Sequence, residues 1–147
     1  MTTHSPGRFD ALRLSPGMDL RLALERQAKR PPSCALAVVT CCGSLDGARL
    51  RPAAETDVLR IDGPLEILSL AGTLSLSGVH LHVSVGDGQG NVFGGHLLPG
   101  CRIRTTAEIA LVALPGLTFR RAQDARTGCR ELLIRPRPRS QRLLRKH

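Results

Sequence analysis

The sequence has no tryptophan and no tyrosine, and its three phenylalanines are scattered. Aromatic stacking platforms of the kind that grip single-stranded nucleic acid are therefore excluded. No apolar stretch approaches the roughly 20 residues that a bilayer-spanning helix needs, which excludes a membrane protein of that kind. The segment Met1 to Asp10 lacks the basic, apolar and small-residue succession of a secretory signal, so the expected location is the cytoplasm. The five cysteines, Cys34, Cys41, Cys42, Cys101 and Cys129, are odd in number and form no CxxC pair. That pattern argues against a disulfide framework and against a zinc knuckle, and the thiols are read as reduced. Cys41 and Cys42 adjoin on an expected strand, where successive side chains point to opposite faces and cannot readily share one ion.

What is present fits one soluble domain. The chain has 147 residues, 41% of them hydrophobic and 22% charged, and splitting it would leave each half near the size where burial no longer offsets chain entropy. The net charge is +9, but six of the 21 basic residues, Arg135, Arg137, Arg139, Arg142, Arg145 and Lys146, lie in the last stretch. Residues 1–134 thus carry 15 basic groups against 12 acids, or +3. The division expected is a single domain over residues 1–134 and a basic tail over 135–147. Prolines alternate with arginines in that tail, which favours an extended, disordered chain. Its six cations could contact DNA phosphates or simply solubilise the end of the chain.

Hydrophobic periodicity places a first strand at Arg8 to Leu14 and one helix over Met18 to Lys29. Leu20, Ala23, Leu24 and Ala28 form the apolar stripe of that helix, with Arg21, Glu25, Arg26 and Lys29 toward water. Pro31 and Pro32 end it. From Cys34 onward the pattern reads as short β runs punctuated by glycine. The fold class expected is α+β: a mainly antiparallel sheet or half-open barrel with one principal helix packed on it. In the run Ile103 to Ala113, one face is apolar throughout, while the other starts polar and turns apolar near Val112. Such a strand suits a sheet covered on its second side, for instance by a neighbouring subunit.

The segment GVHLHVSVGDGQGNVFGGHLLPG, residues 78–100, carries the chemistry. With Val79, Leu81, Val83 and Val85 toward the core, His80 and His82 share the opposite face, roughly 7 Å apart. A five-residue loop from Asp87 to Asn91 would pair Gly86 with Val92 and set His96 directly opposite His82. An even loop would turn His96 into the core unless Gly94 and Gly95 formed a bulge. Three imidazoles with an open fourth position suit a catalytic or ligand-accepting metal site better than a closed structural one. The expected metal is zinc or another divalent transition metal, held by His80, His82 and His96. The plain alternative is a solvated strand face with one hydrogen-bonded histidine beside a turn. Glu108 shares a face with Arg102 and Arg104, where it could be a fourth ligand, a general base acting on metal-bound water, or an ordinary ion-pair partner. Glu66 lies between apolar residues and is expected to be buried and hydrogen-bonded.

In order, RLSPGMDL, a helix, VVTCCGSLDGARLR, GPLEILSLAGTLS, HLHVSVGDGQGNVFGGHLLPGC and TTAEIAL closely resemble the plant and prokaryote conserved (PPC) domain, from about Phe9 to Ile134. The resemblance implies an α+β fold and a homotrimer. Plant relatives carry the domain beside AT-hooks in nuclear DNA-binding proteins, which is the origin of the DNA-binding label on stand-alone bacterial members. This chain lacks the Arg-Gly-Arg-Pro core of an AT-hook. His80, His82 and His96 match the histidine pattern of the prokaryotic branch. The histidine layout is also similar to that of acetolactate decarboxylase, a fold-level analogy that transfers no reaction. The functions in view are a DNA-binding or regulatory module with a three-histidine metal site, a zinc-dependent enzyme on a small metabolite, and an interaction protein with vestigial histidines.

Overall fold

The computed structural model of the chain describes residues 2–31, 35–54 and 56–137. Among them are β1 (Arg8–Leu14), α1 (Leu20–Ala28), β2 (Leu36–Arg51), β3 (Leu59–Ser75), β4 (Gly78–Gly86), β5 (Val92–Leu97), β6 (Ile103–Ala113), β7 (Leu117–Gln123) and β8 (Arg130–Pro136). Six strands form one antiparallel sheet in the order β1-β6-β2-β3-β4-β5, while β7 and β8 form a separate hairpin. The end of β2 also pairs with β5, Leu50 opposite Leu97 and Arg51 opposite His96. That extra pairing closes part of the sheet without making a barrel, so the α+β class holds in its open form. None of the described helices is long and apolar enough to cross a membrane.

Long strands replace the short runs that the glycines suggest. β2 has 16 residues and passes through Gly43 and Gly47; β3 has 17 and passes through Gly63 and Gly72. Glycine here permits close backbone approach and register shifts rather than ending the strand. Shifts do occur beside such points, between Leu45 and Gly47 on β2 against β3, and between Gly43 and Leu45 on β2 against β6. β2 pairs with β3 along its length, with β6 through its first part, Leu36 to Leu45, and with β5 only at its end, Leu50 and Arg51.

The helix fills the concave side. Leu20, Ala23, Leu24 and Ala28 are buried against the sheet residues Leu45, Leu50, Leu81, Val83, Ile103 and Leu111. Full burial of a leucine contributes about 1.5–3 kcal/mol, so Leu20 and Leu24 anchor the helix. Asp19 caps it by accepting from the Leu22 amide at 2.9 Å, and its other oxygen accepts from the Gly100 amide. The Leu20 amide donates to the Cys101 carbonyl, and the Ile103 amide to the Met18 carbonyl, which fixes the helix start to the entry of β6. Arg21 departs from the expected solvent-facing pattern. Its guanidinium is ion-paired to Glu25 and donates to the Leu97 carbonyl at 2.7 Å, reaching over the end of β5.

The β7–β8 hairpin has its own small cluster, Ala35, Leu117 and Phe119. It lies against β3 because the Arg121 backbone amide donates to Ser77 Oγ at 2.8 Å and its guanidinium donates to Thr73 Oγ1 at 3.1 Å. β8 continues through Arg135 and Pro136, paired with Thr118 and Leu117, so two residues of the basic segment lie in this hairpin.

Candidate metal centre

Alternation along β4 buries Leu81, Val83 and Val85 and leaves His80, His82 and Ser84 on the outer face. The connection to β5 is the odd, five-residue loop. Asp87 accepts from the amides of Gln89 and Asn91 and from the Asn91 side chain, each at 2.9 Å. The Asn91 side-chain bond, more than the amides, holds the Asp87 carboxyl below its usual range. The register that results pairs Gly86 with Val92 and His82 with His96. No bulge at Gly94 and Gly95 is involved, because the ladder is unbroken from Val92 to His96.

The three imidazoles converge. One nitrogen from each ring lies within 4.8 Å of the other two, and Nε2 of His80 and Nε2 of His82 are 3.1 Å apart. Ring centroids are separated by 4.8 Å for His80 and His82, 5.1 Å for His80 and His96, and 4.5 Å for His82 and His96. Tetrahedral zinc bonds of about 2.0–2.1 Å set ligand nitrogens about 3.3 Å apart. The closest pair already meets that spacing, and small side-chain rotations bring in the third ring. Three imidazole nitrogen donors suit zinc or a neighbouring first-row divalent ion, so the residues present fit such a metal.

The surroundings are cationic. One row across the sheet runs Ala71 on β3, His82 on β4, His96 on β5 and Arg51 on β2; the next sets Thr73 opposite His80. Ala71 leaves room above the rings. Arg121, Glu131 and Leu132 of the hairpin line a cavity of about 270 Å³ beside His80 and His82. A second cavity of about 670 Å³ is bordered by His80 and His96, by Arg21, Arg51, Arg121 and Arg130, and by Glu131. Burial holds His80 below the ordinary imidazole range, reinforced by Arg121 and His82 and opposed by Glu131. His96 is held down in the same way, by burial first and then by Arg51. Both rings therefore favour the neutral form that a metal requires.

Other expectations fare differently. Glu108 is exposed on β6 between Arg13 of β1 and Cys42 of β2. It lines a separate groove with Thr40 and Ala110, three strands from β4 in the sheet order, so within the chain it does not join the histidines. Glu66 is exposed rather than buried, opposite Ser44 and Gly86. Strand alternation accounts for this, because Glu66 occupies the outer face while its apolar neighbours Leu65 and Ile67 occupy the inner one. Cys41 is buried and Cys42 exposed, as their adjacency requires. Arg135 is exposed on β8, and the Arg137 amide donates to the Gly116 carbonyl. Arg139, Arg142, Arg145, Lys146 and Cys34 lie outside the described residues. No sequence motif marks Arg21, Arg51, Arg121 and Glu131 as site residues, since only the β2–β5 closure and the docked hairpin bring them together.

The profile of the Plants and Prokaryotes Conserved (PCC) domain, abbreviated PPC above, matches residues 1–115. This chain belongs to that family. Among solved structures, a hypothetical protein from Salmonella cholerae-suis superposes with a TM-score of 0.90 at 40% identity, covering 92% of this chain and 99% of the other. A PPC protein from Pyrococcus horikoshii gives 0.76 at 28% identity, covering 90% and 98%. A metal-containing protein from Archaeoglobus fulgidus gives 0.75 at 29% identity, covering 90% and 99%. Among curated proteins, the bifunctional protein GlmU of a Synechococcus strain is 49% identical over 125 residues, which is 85% of this chain. The PCC chain described here spans 20% of the length of that relative.

Proposed function

We propose that this PCC domain is a metal-binding module that holds one zinc, or a neighbouring divalent ion, on His80, His82 and His96. The observation that carries the reading is the convergence of three imidazoles on the outer sheet face, set by the odd loop from Asp87 to Asn91. The metal-containing relative from Archaeoglobus fulgidus supports it. Bound there, the ion would supply Lewis acidity to a ligand entering from the cavity side. Elemental analysis of the purified full chain tests the reading: about one metal per chain is expected, with loss in His82→Ala. A metal-free protein that stays so after zinc is supplied would overturn it.

The module is proposed to work as a homotrimer and to contact DNA through the basic segment 135–147. For assembly, the supporting feature is the outer face of β1, β6 and β2. There Phe9, Val112 and Ala37 align in one row and Ala11 and Ala110 in the next, with Phe9 71% exposed. Light scattering should give three chain masses, and Phe9→Glu should lower the value; a monomeric parent refutes this part. For DNA, the support is the six cations of the segment and the family's plant members. Binding should fall steeply with salt and vanish on removal of residues 138–147; retention after truncation sinks that version.

A second reading, a zinc-dependent enzyme on a small metabolite, is favoured by one feature. The histidines border a cavity of about 670 Å³ that also presents Glu131. Glu131, rather than Glu108, is then the carboxylate in position for proton transfer. Turnover that depends on both zinc and Glu131 would select this reading over a binding module.

A further inference from the structure

We propose that the cavity beside the histidines takes a small organic anion, anchored through a carboxylate or phosphate group by Arg51 with Arg121 beside it. That the anion also reaches the metal rests on the metal reading above; its attachment to the arginines does not.

Charge balance carries the argument. The larger cavity is bordered by four guanidinium groups, Arg21, Arg51, Arg121 and Arg130, against one carboxylate, Glu131, which leaves +3 with the histidines neutral. The four cations are not equally free. Arg21 is ion-paired to Glu25 and bonded to the Leu97 carbonyl. Arg121 spends two donors on Thr73 Oγ1 and the Arg130 carbonyl, and Arg130 bonds the Arg121 carbonyl. The Arg51 side chain is half-buried, yet it makes no hydrogen bond or ion pair with any described residue. The Arg51 guanidinium keeps contact with solvent, since among the described residues only Arg49 Nε is buried without a partner, so its donors are open to a ligand in the cavity. Its rigid fork matches the two oxygens of a carboxylate or phosphate.

Position supports the same conclusion. Arg51 is the direct cross-strand partner of His96, and paired residues in a ladder have Cβ atoms about 4.5–5.5 Å apart. An oxyanion on Arg51 therefore lies next to the metal-ligand face. A cavity of about 670 Å³ exceeds what a bare inorganic ion fills and is in the range of small-molecule sites. Val79 and Leu98 also border the cavity, and their apolar surface suits an organic body attached to the anionic group.

The test uses the full chain, metal-free and zinc-loaded, at constant ionic strength. The probes are acetate, inorganic phosphate and the neutral isostere acetamide, and binding is read by calorimetry and by the shift in Tm. Metal content is measured separately on the same samples. Saturable binding of acetate or phosphate is expected, with none for acetamide. Arg51→Gln should weaken it about ten-fold or more, the range of a lost charge-assisted hydrogen bond, while Arg51→Lys should weaken it less and Arg60→Gln, outside the cavity, should leave it unchanged. Acetate binding alone would identify the group as a carboxylate, phosphate binding alone as a phosphate, and mutual competition as a shared oxyanion site. Equal binding of acetamide, no saturation by either anion, or undiminished binding in correctly folded Arg51→Gln and Arg51→Lys would overturn the inference. Anion binding that needs Arg51 in a protein without zinc would uphold it even if the metal reading failed. Zinc binding without Arg51-dependent anion binding would sink the inference alone.

Discussion

Replacing Gly72 by alanine probes the packing that holds His80 in place. Gly72 sits in β3 opposite Leu81, next to the pair of Thr73 and His80, at a φ of +147°. A Cβ added there would overlap the His80 carbonyl oxygen, with the His80 carbonyl carbon at 2.9 Å and Leu81 Cα at 3.0 Å. The obstacles are backbone atoms, which cannot rotate away as a side chain would. One contribution is the unfavourable φ, costing about 1–3 kcal/mol in a non-glycine residue. The other is the separation of β3 from β4, which lengthens one or two ladder hydrogen bonds at about 0.5–1.5 kcal/mol each. Together these give a destabilisation of about 1.5–6 kcal/mol, a large share of the roughly 5–15 kcal/mol that holds a domain folded. Urea denaturation followed by circular dichroism reads it directly. Gly88, in the hairpin loop with nothing within 4 Å of its added Cβ, is the control, and Gly88→Ala should stay within about 0.5 kcal/mol. Zinc affinity should fall in Gly72→Ala as well, since the clash pushes on the residue that carries a ligand. A Gly72→Ala protein as stable as the parent would refute the close β3–β4 approach.

Three further outcomes follow from the same geometry. Asp19→Ala removes the helix cap and the bond to the Gly100 amide, and should lower unfolding free energy by about 1–2 kcal/mol in urea melts. Cys129 should alkylate quickly under native conditions, whereas Cys41, whose thiol burial pushes up to about 12, and Cys101 should stay unlabelled by mass spectrometry. For Asp87 the folded value is depressed, chiefly by the Asn91 side chain. Its contribution is therefore present above the ordinary aspartate value of 3.8 and lost as pH falls through the lower folded value, which an NMR titration of the Gln89 and Asn91 amides would follow.

Local features were legible in the sequence because they depend on local rules. The helix from Leu20 to Ala28 and its apolar stripe follow from helical spacing, and β1 from a turn signal at its end. The phase of His96 follows from counting the loop, since one residue more or fewer flips every later side chain. What could not be read is the lateral arrangement. Alternation assigns Glu108 and His82 alike to an outer face, but says nothing of the two strands, β2 and β3, that stand between them. Gly43, Gly63 and Gly72 look like breaks in one dimension, yet they are points where neighbouring backbones come too close for a Cβ. Arg51 ends a strand before Pro52, in a position with no motif around it, and only the β2–β5 pairing makes it a neighbour of His96. Arg121 and Glu131 reach the site because a separate hairpin folds over β3, a contact fixed by Ser77 and Thr73.

The central claim is that His80, His82 and His96 together bind one ion, and X-ray absorption at the zinc edge of the zinc-loaded chain tests it most directly. The account predicts three imidazole nitrogens at about 2.0–2.1 Å and a fourth light-atom donor, with one imidazole fewer in His96→Ala. Sulfur scattering at about 2.3 Å, or a spectrum unchanged by His96→Ala, would contradict it.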